Sequence, residues 1–121
     1  MVSHIKSPSF IKAAGTREKI IKEFIGRVNS QTPDLSIAMM KSPQGWEEPG
    51  QIPEFDEYTI VLKGKLKIKT TSEELIVSEG EAIVAPRDQW IKYSTPFKGG
   101  AEYIAVCVPA FSPSTVHRDE E

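Results

Sequence analysis

The residues with the clearest chemical potential lie in the stretch GWEEPGQIPEFDEYTIVLKG, residues 45–64. Its second half is rich in β-branched residues and predicts a strand that begins at Glu57. The side chain of Glu57 ends in a carboxyl group. A carboxyl group buried in a strand can act as a general acid or base, or it can accept hydrogen bonds that fix the strand. Both roles stay open for Glu57. The sequence shows no Ser/His/Asp triad, phosphate-binding glycine loop or CxxC pair.

Short strands separated by glycine and proline must position this carboxyl group. The clearest strand is KGKLKIK, in which lysines alternate with Gly64, Leu66 and Ile68. The lysine face is expected to be solvated. Residues 16–28 fit either a helix or a strand. Because short strands recur at regular spacing, the pattern predicts an all-β fold, an antiparallel sandwich or barrel with little helix.

The bulk composition narrows the class of protein. A chain of 121 residues predicts one domain, and 39% hydrophobic residues are typical of a globular protein. The formal net charge of −2 does not favour a nucleic-acid partner. No apolar run approaches the ~20 residues that a membrane helix needs, and no secretory signal is visible. We therefore expect a cytoplasmic protein, with the single cysteine, Cys107, buried in an apolar strand.

Two groups of residues keep the spacing of a known motif pair. The first motif of the pair is a glycine, five residues, His-x-His, three or four residues, a glutamate, six residues and a second glycine. This frame runs here through Gly45, Gln51, Pro53, Glu57 and Gly64.

The second motif of the pair is a glycine, five residues, Pro-x-Gly, two residues, a histidine, three residues and an asparagine. It is matched in spacing by Gly80, Pro86, Asp88, Ile91 and Thr95. The chain therefore resembles the cupin family, in its small single-domain, conserved-barrel type. The resemblance implies a small β-barrel or jelly roll. It places the core at about residues 35–109, an N-terminal extension at 1–34 and a C-terminal tail at 110–121.

The metal ligands of the family are missing from this frame. In metal-bearing cupins, three histidines and the glutamate bind a divalent transition metal. The histidine positions hold Gln51, Pro53 and Ile91. Since proline and isoleucine cannot ligate a metal, the resemblance implies no metal and no cofactor. A rescue by His117 folding over the barrel mouth, or by Asp56 turning inward, is the least favoured alternative.

The inward faces of the strands predict the site. In a small barrel, alternate residues of a strand point inward. If Glu57 is inward, Thr59 and Val61 follow it, whereas Tyr58, Ile60 and Leu62 face out; if Ile91 is inward, Gln89 and Tyr93 follow it. The expected ligand-binding residues are Trp46, Gln51, Glu57, Arg87, Gln89, Ile91 and Tyr93. Glu57 and Tyr93 are also the candidate catalytic residues.

Three functions compete, and a purely structural role, with a filled barrel and function in dimer contacts, also stays open. The leading hypothesis is a metal-free protein that binds a small molecule in the barrel. The alternative is a metal-independent isomerase, epimerase or lyase on a sugar or small carboxylic acid, with Glu57 as acid or base. A metal-dependent dioxygenase with an atypical site ranks lowest. Whether the chain is an enzyme stays open. The outward apolar face of Tyr58, Ile60 and Leu62 is expected to be buried against the second sheet or a partner subunit, and the resemblance to cupins, which are commonly dimers, implies a homodimer.

Overall fold

Nine antiparallel strands form the protein in a computed structural model that describes residues 1–120. They are β1 (Ser9–Ile11), β2 (Ile20–Ile25), β3 (Ser36–Ser42), β4 (Trp46–Glu47), β5 (Asp56–Thr70), β6 (Glu74–Ser78), β7 (Ala82–Ala85), β8 (Ile91–Thr95) and β9 (Ala101–Val108). Across these 120 residues there is no helix with the length and apolar character needed to cross a membrane. The prediction of an all-β antiparallel fold is confirmed.

The long strand β5 belongs to both halves of the barrel. Its first half pairs with β9 and β7, and its second half pairs with β6 and β8. We call the strands β1-β2-β3-β9-β5-β7 the front sheet and the strands β6-β5-β8-β4 the back sheet. Because β5 crosses from the front sheet to the back sheet, its inward side chains line both sides of the barrel.

Gly64 marks the point where β5 passes between the sheets. The pairing with β9 shifts register between Val61 and Lys63 and ends at Gly64, and the pairing with β6 begins at Lys65. Gly64 has a φ of +76°, and a Cβ atom there would lie 2.1 Å from the carbonyl oxygen of Gly100. Only glycine fits this close approach of two backbones.

The inner faces of the two sheets form the core. Leu66 and Ile68 are fully buried, and the alternating lysines lie on the outer side, as the KGKLKIK pattern predicts. Thr59 and Val61 are buried on the same strand. A second, smaller cluster contains Phe55, Cys107 and Val116, with Phe111 packed against it. The protein therefore has a main core between the sheets and a second core under the C-terminal tail.

Both ends of the chain add to the barrel. Residues 16–28, which fitted a helix or a strand, contain β2, and β2 pairs with β3 at the edge of the front sheet. The tail runs antiparallel to residues 50–54, with backbone hydrogen bonds from Glu54 to Thr115 (2.9 Å), Ile52 to His117 (3.1 Å) and Asp119 to Gly50 (2.8 Å). The tail thus lies against the segment that contains Gln51, and the N-terminal segment reaches the same motif through a backbone hydrogen bond of 2.9 Å from Thr16 to Glu47.

Candidate functional site

A largely enclosed cavity of about 70 Å³ lies between the two core clusters. Its wall combines apolar side chains of the front sheet with polar groups from several elements. The principal polar groups are Lys19, Glu23, Ser36, Glu48, Gln51, Glu57, Thr59, Tyr93 and Arg118. A cavity of this size has room for a handful of water-sized groups, and so for a small ligand.

Glu57 and Tyr93 meet in this cavity from opposite sheets. The hydroxyl of Tyr93 on β8 donates a hydrogen bond of 3.1 Å to Oε1 of Glu57 at the start of β5. Burial raises the pKa of Glu57 to about 7, and the nearby charge of Glu48 adds to the rise. Lys19 and the hydrogen bonds from Tyr93 and Cys107 act in the opposite direction. Glu57 therefore exchanges its proton near neutral pH, which suits a general acid or base.

Two more carboxyl groups line the cavity, and they differ in their partners. Glu48 is 7% exposed, and burial raises its pKa against the opposing charges of Lys19 and Arg118. Glu23 accepts hydrogen bonds from the backbone N–H groups of Val28 (3.0 Å) and Asn29 (2.8 Å). Glu23 thus holds a turn, whereas Glu48 belongs with Glu57 to the titratable part of the cavity.

Gln51 supplies an acceptor with no partner. It is 4% exposed, and its backbone bridges Ile91 on one side and Arg118 on the other. The side-chain oxygen Oε1 is buried and has no hydrogen-bond donor within reach, and Nε of Arg118 is a buried donor that also lacks a partner. Unpaired buried polar atoms are rare and costly, so this corner of the cavity is suited to a bound polar group.

Lys19 brings a cation to the same cavity. Its ammonium group lies 4.0 Å from the centre of the Trp46 ring and 5.2 Å from that of Tyr103. Both contacts are attractive, since the face of an aromatic ring carries negative charge. No carboxylate among residues 1–120 forms an ion pair with Lys19. The lysine is held in place by rings, and its charge stays available to the cavity.

Of the residues expected in the site, Gln51, Glu57 and Tyr93 line the cavity, and four others do not. The inward orientation expected of Gln89 is wrong, because this residue is exposed in the turn before β8. Arg87 lies outside the barrel, where it pairs with Asp56 at 3.1 Å and donates to the carbonyl of Val108. Ile91 and Trp46 are buried core residues beside the cavity.

The family is shown by the sequence itself. Residues 29–112, well over half of the chain, match the sequence model of the family described as ethanolamine utilisation protein EutQ. The chain belongs to the EutQ family. It is also 41% identical over 101 residues to a Myxococcus xanthus protein described as endoribonuclease YbeY. That match takes in 84% of the chain and only 34% of the relative, so the chain spans about a third of that protein's length.

Two solved structures have a fold similar to that of this EutQ-family chain. The EutQ protein of Clostridium difficile is 27% identical, with a TM-score of 0.64 over 76% of the chain and 63% of that protein. The Cnp3 cupin domain of Schizosaccharomyces pombe is 12% identical, with a TM-score of 0.66 over 77% of the chain and 62% of that domain. The chain therefore has the cupin fold, and its specific activity is unassigned.

The donor groups of this EutQ-family cavity do not fit the transition metal that many cupins hold. Residues 1–120 contain no group of three or more His, Cys, Asp or Glu side chains placed to share a metal ion. His117 pairs with Glu54 on the outside, and Asp56 pairs with Arg87, so neither residue enters the cavity. Lys19 and Arg118, which do enter it, would repel a metal cation.

Three residues that line the cavity of this EutQ-family chain are not among those that the sequence predicts for the site: Lys19, Glu48 and Arg118. An acid in the loop before Glu57 is expected to be solvated, but Glu48 is buried, and so is Trp46, with exposed Glu47 between them, which is the alternation typical of a strand. Lys19 and Arg118 carry no such signal, because they reach the cavity only when the two chain ends fold against the barrel. The tail does contribute a residue to the cavity, but that residue is Arg118 and not His117.

Proposed function

We propose that this EutQ-family chain binds a small polar molecule in the barrel cavity, without a metal ion at the cupin ligand positions. The observation that carries the proposal is the buried, unpartnered Oε1 of Gln51 in the cavity wall. Leaving such an acceptor unpaired costs about 1–3 kcal/mol. A ligand that donates a hydrogen bond to this oxygen recovers that free energy.

A thermal-shift assay tests the proposal with Gln51→Leu and the matched control Gln89→Leu. The probes are acetate, glycolate, 1,2-propanediol and ethanolamine, which cover anionic, neutral and cationic small molecules. At least one probe is expected to raise the Tm of the wild type by a few degrees. The shift is lost in Gln51→Leu, because leucine has no acceptor, and is kept in Gln89→Leu, because Gln89 is exposed outside the cavity.

The free Gln51→Leu variant is expected to be as stable as the wild type or slightly more stable, since it removes a buried group that has no partner. A probe that stabilises the wild type and Gln51→Leu equally contradicts binding at this site. So does a complete absence of shifts across the four probes.

An acid–base enzyme is the second candidate. It is favoured by the 3.1 Å hydrogen bond between Tyr93 and Glu57, together with a Glu57 pKa of about 7. Such a pair could move a proton on a sugar or a small carboxylic acid in an isomerase, epimerase or lyase reaction. Loss of turnover in Glu57→Gln with ligand binding retained would separate catalysis from binding.

We propose a second copy of the chain as its protein partner, with no nucleic acid and no membrane, and the cytoplasm as its location. The net charge of −2 supports a function without nucleic acid. The endoribonuclease activity named for the Myxococcus relative is not extended to this chain, which spans 34% of that protein. The EutQ family description makes an amino alcohol one of the ligand classes to be tested.

A further inference from the structure

Two cations from opposite ends of the chain line one cavity. Lys19 comes from the segment before β2, and Arg118 comes from the C-terminal tail. Neither forms an ion pair within 4.0 Å among residues 1–120. Both lie over aromatic rings, Lys19 over Trp46 and Arg118 at 5.8 Å from the centre of the Phe111 ring. These contacts orient the charges without neutralising them.

The carboxyl groups of the cavity do not cancel this positive charge at neutral pH. Glu23 is occupied by two backbone N–H groups of its own turn. Burial raises the pKa values of both Glu48 and Glu57, so both acids stay protonated to a higher pH in the cavity than they would in water. Lys12 also lines the cavity, so the wall carries three cations and three carboxyl groups. With a proton on Glu48 or Glu57, the three cations outnumber the two remaining carboxylates. The cavity is therefore electrostatically suited to a small anion.

Gln51 and Arg118 are adjacent on the cavity wall. Their backbones face each other in an antiparallel bridge, and directly opposed residues of such a pair place their side chains side by side. One has a free acceptor, Oε1, and the other has a free donor, Nε. Their complement is a ligand with an acceptor and a donor on neighbouring atoms.

We propose that the cavity selects a small 2-hydroxycarboxylate, whose carboxylate binds Arg118 and Lys19 and whose hydroxyl donates to Oε1 of Gln51. This inference rests on the proposed binding function and names its ligand class. The guanidinium group is well matched to a carboxylate, because it can present two parallel N–H donors. The cavity volume of about 70 Å³ favours an acid of a few non-hydrogen atoms, such as glycolate or lactate.

Isothermal titration calorimetry with five probes tests each part of the proposal. Lactate and glycolate carry both groups, propionate lacks the hydroxyl, lactamide lacks the negative charge and ethanolamine is a cation. Lactate is expected to bind about tenfold more tightly than propionate, which is the worth of one hydrogen bond. Lactamide is expected to bind more weakly still, and ethanolamine should not bind.

Variants separate the two contacts. Arg118→Gln should weaken lactate and propionate alike, by at least tenfold, because both lose the same charge-assisted hydrogen bond. Gln51→Leu should reduce the affinity for lactate to that for propionate and leave propionate unchanged. The matched control is Arg87→Gln, whose guanidinium lies outside the cavity and which should bind lactate as the wild type does.

The number of protons taken up when lactate binds is a further readout, and a misfolded variant cannot imitate it. Glu57 is faced by Glu48, Lys19, Tyr93 and Cys107, and a bound anion joins Glu48 in disfavouring its ionised form. Lactate binding near pH 7 is therefore expected to take up protons and to strengthen as the pH falls. Titrations in two buffers of different ionisation enthalpy measure this uptake directly.

The outcomes distinguish the ligand class from the binding function itself. If ethanolamine or lactamide binds better than lactate and needs Gln51, the 2-hydroxycarboxylate is wrong and binding in the cavity stands. Proton release on lactate binding, or equal affinity for lactate and propionate, also overturns the inference. If none of the five probes binds, the inference fails, and the thermal-shift comparison of Gln51→Leu with Gln89→Leu decides the binding function separately.

Discussion

At the residue scale, Glu57 is a carboxyl group that the fold holds in an unfavourable place. Its side chain faces the enclosed cavity, with one hydrogen bond from Tyr93 and a second acid, Glu48, nearby. Burial of a carboxyl group disfavours its ionised form, and the donors Tyr93 and Cys107 do not offset this. The pKa of Glu57 is therefore raised to about 7, and ionisation of this carboxyl group lowers the stability of the fold. Such a loss of stability is tolerated at functional sites.

Replacing Glu57 with glutamine should remove part of the pH dependence of folding. The pKa is about 7 in the native state and 4.5 in its ordinary setting, so between these values the native state keeps a proton that the unfolded state releases. The free energy of unfolding of the wild type therefore falls as the pH rises through this window and levels off above it. Relative to the wild type, Glu57→Gln should gain stability from pH 4.5 to pH 8, by at most about 3 kcal/mol.

Urea denaturation at pH 5, 6, 7 and 8 measures this difference. Glu79→Gln is the control, because Glu79 is exposed in the turn after β6. Its stability should run parallel to that of the wild type. Parallel profiles for Glu57→Gln and the wild type would mean that Glu57 titrates in the native state as it does in water.

At the scale of the elements, the long strand β5 decides how the two sheets are joined. Its passage from the front to the back sheet takes place at Gly64, where the backbone of Gly100 is in direct contact. The other motif glycine, Gly80, also has a positive φ, of +83°, but a Cβ atom there would meet nothing within 4 Å. The two motif glycines thus serve different needs, close packing in one case and conformation alone in the other.

Alanine at these two positions should give different losses of stability. Gly80→Ala is expected to cost about 1 kcal/mol, the strain of a left-handed residue with a Cβ atom. Gly64→Ala carries the same strain and a backbone clash at 2.1 Å, so its cost should be at least twice as large. Chemical denaturation compares the two variants. Equal losses would contradict the role of Gly64 in joining the sheets.

At the scale of the whole molecule, the outer side of the front sheet exposes an apolar patch. Tyr58, Ile60, Val84 and Met39 are 43%, 51%, 61% and 38% exposed. They lie on neighbouring strands in register, since Tyr58 faces Val84 and Ile104 lies between Ile60 and Met39. The edge of this patch carries the ion pair of Lys63 with Glu102, so a twofold rotation can bring opposite charges together across two copies.

The proposed homodimer should therefore depend on this patch. Ile60→Glu places a charge in its centre and is expected to convert a dimer into a monomer of 13.5 kDa. The matched control is Ile76→Glu, since Ile76 is 54% exposed on β6 of the back sheet and should leave the dimer intact. Analytical ultracentrifugation measures the mass of each variant. A monomeric wild type at high protein concentration would exclude this interface.

Much of the framework follows from local patterns in the chain. Alternation along KGKLKIK predicts which face of β5 is buried. The barrel is implied by the resemblance of the spacing of Gly45, Glu57 and Gly64 to the first cupin motif. With Glu57 and Ile91 taken as inward, the same alternation predicts that Tyr93 also points inward, and Tyr93 does meet Glu57. The extrapolation fails at Gln89, because the strand β8 begins only at Ile91 and alternation has no meaning in the preceding turn.

The all-β architecture can be predicted from the chain alone, because strand periodicity and turn residues act over short distances. The resemblance of the motif spacing to that of the cupins adds the barrel, the replaced metal-ligand histidines and the inward side of Glu57. The positions of Lys19, Glu48 and Arg118 around this carboxyl group, and the free acceptor of Gln51, emerge only in the folded protein. Those facts depend on where the two chain ends pack, and burial and unpaired polar atoms exist only after distant segments meet.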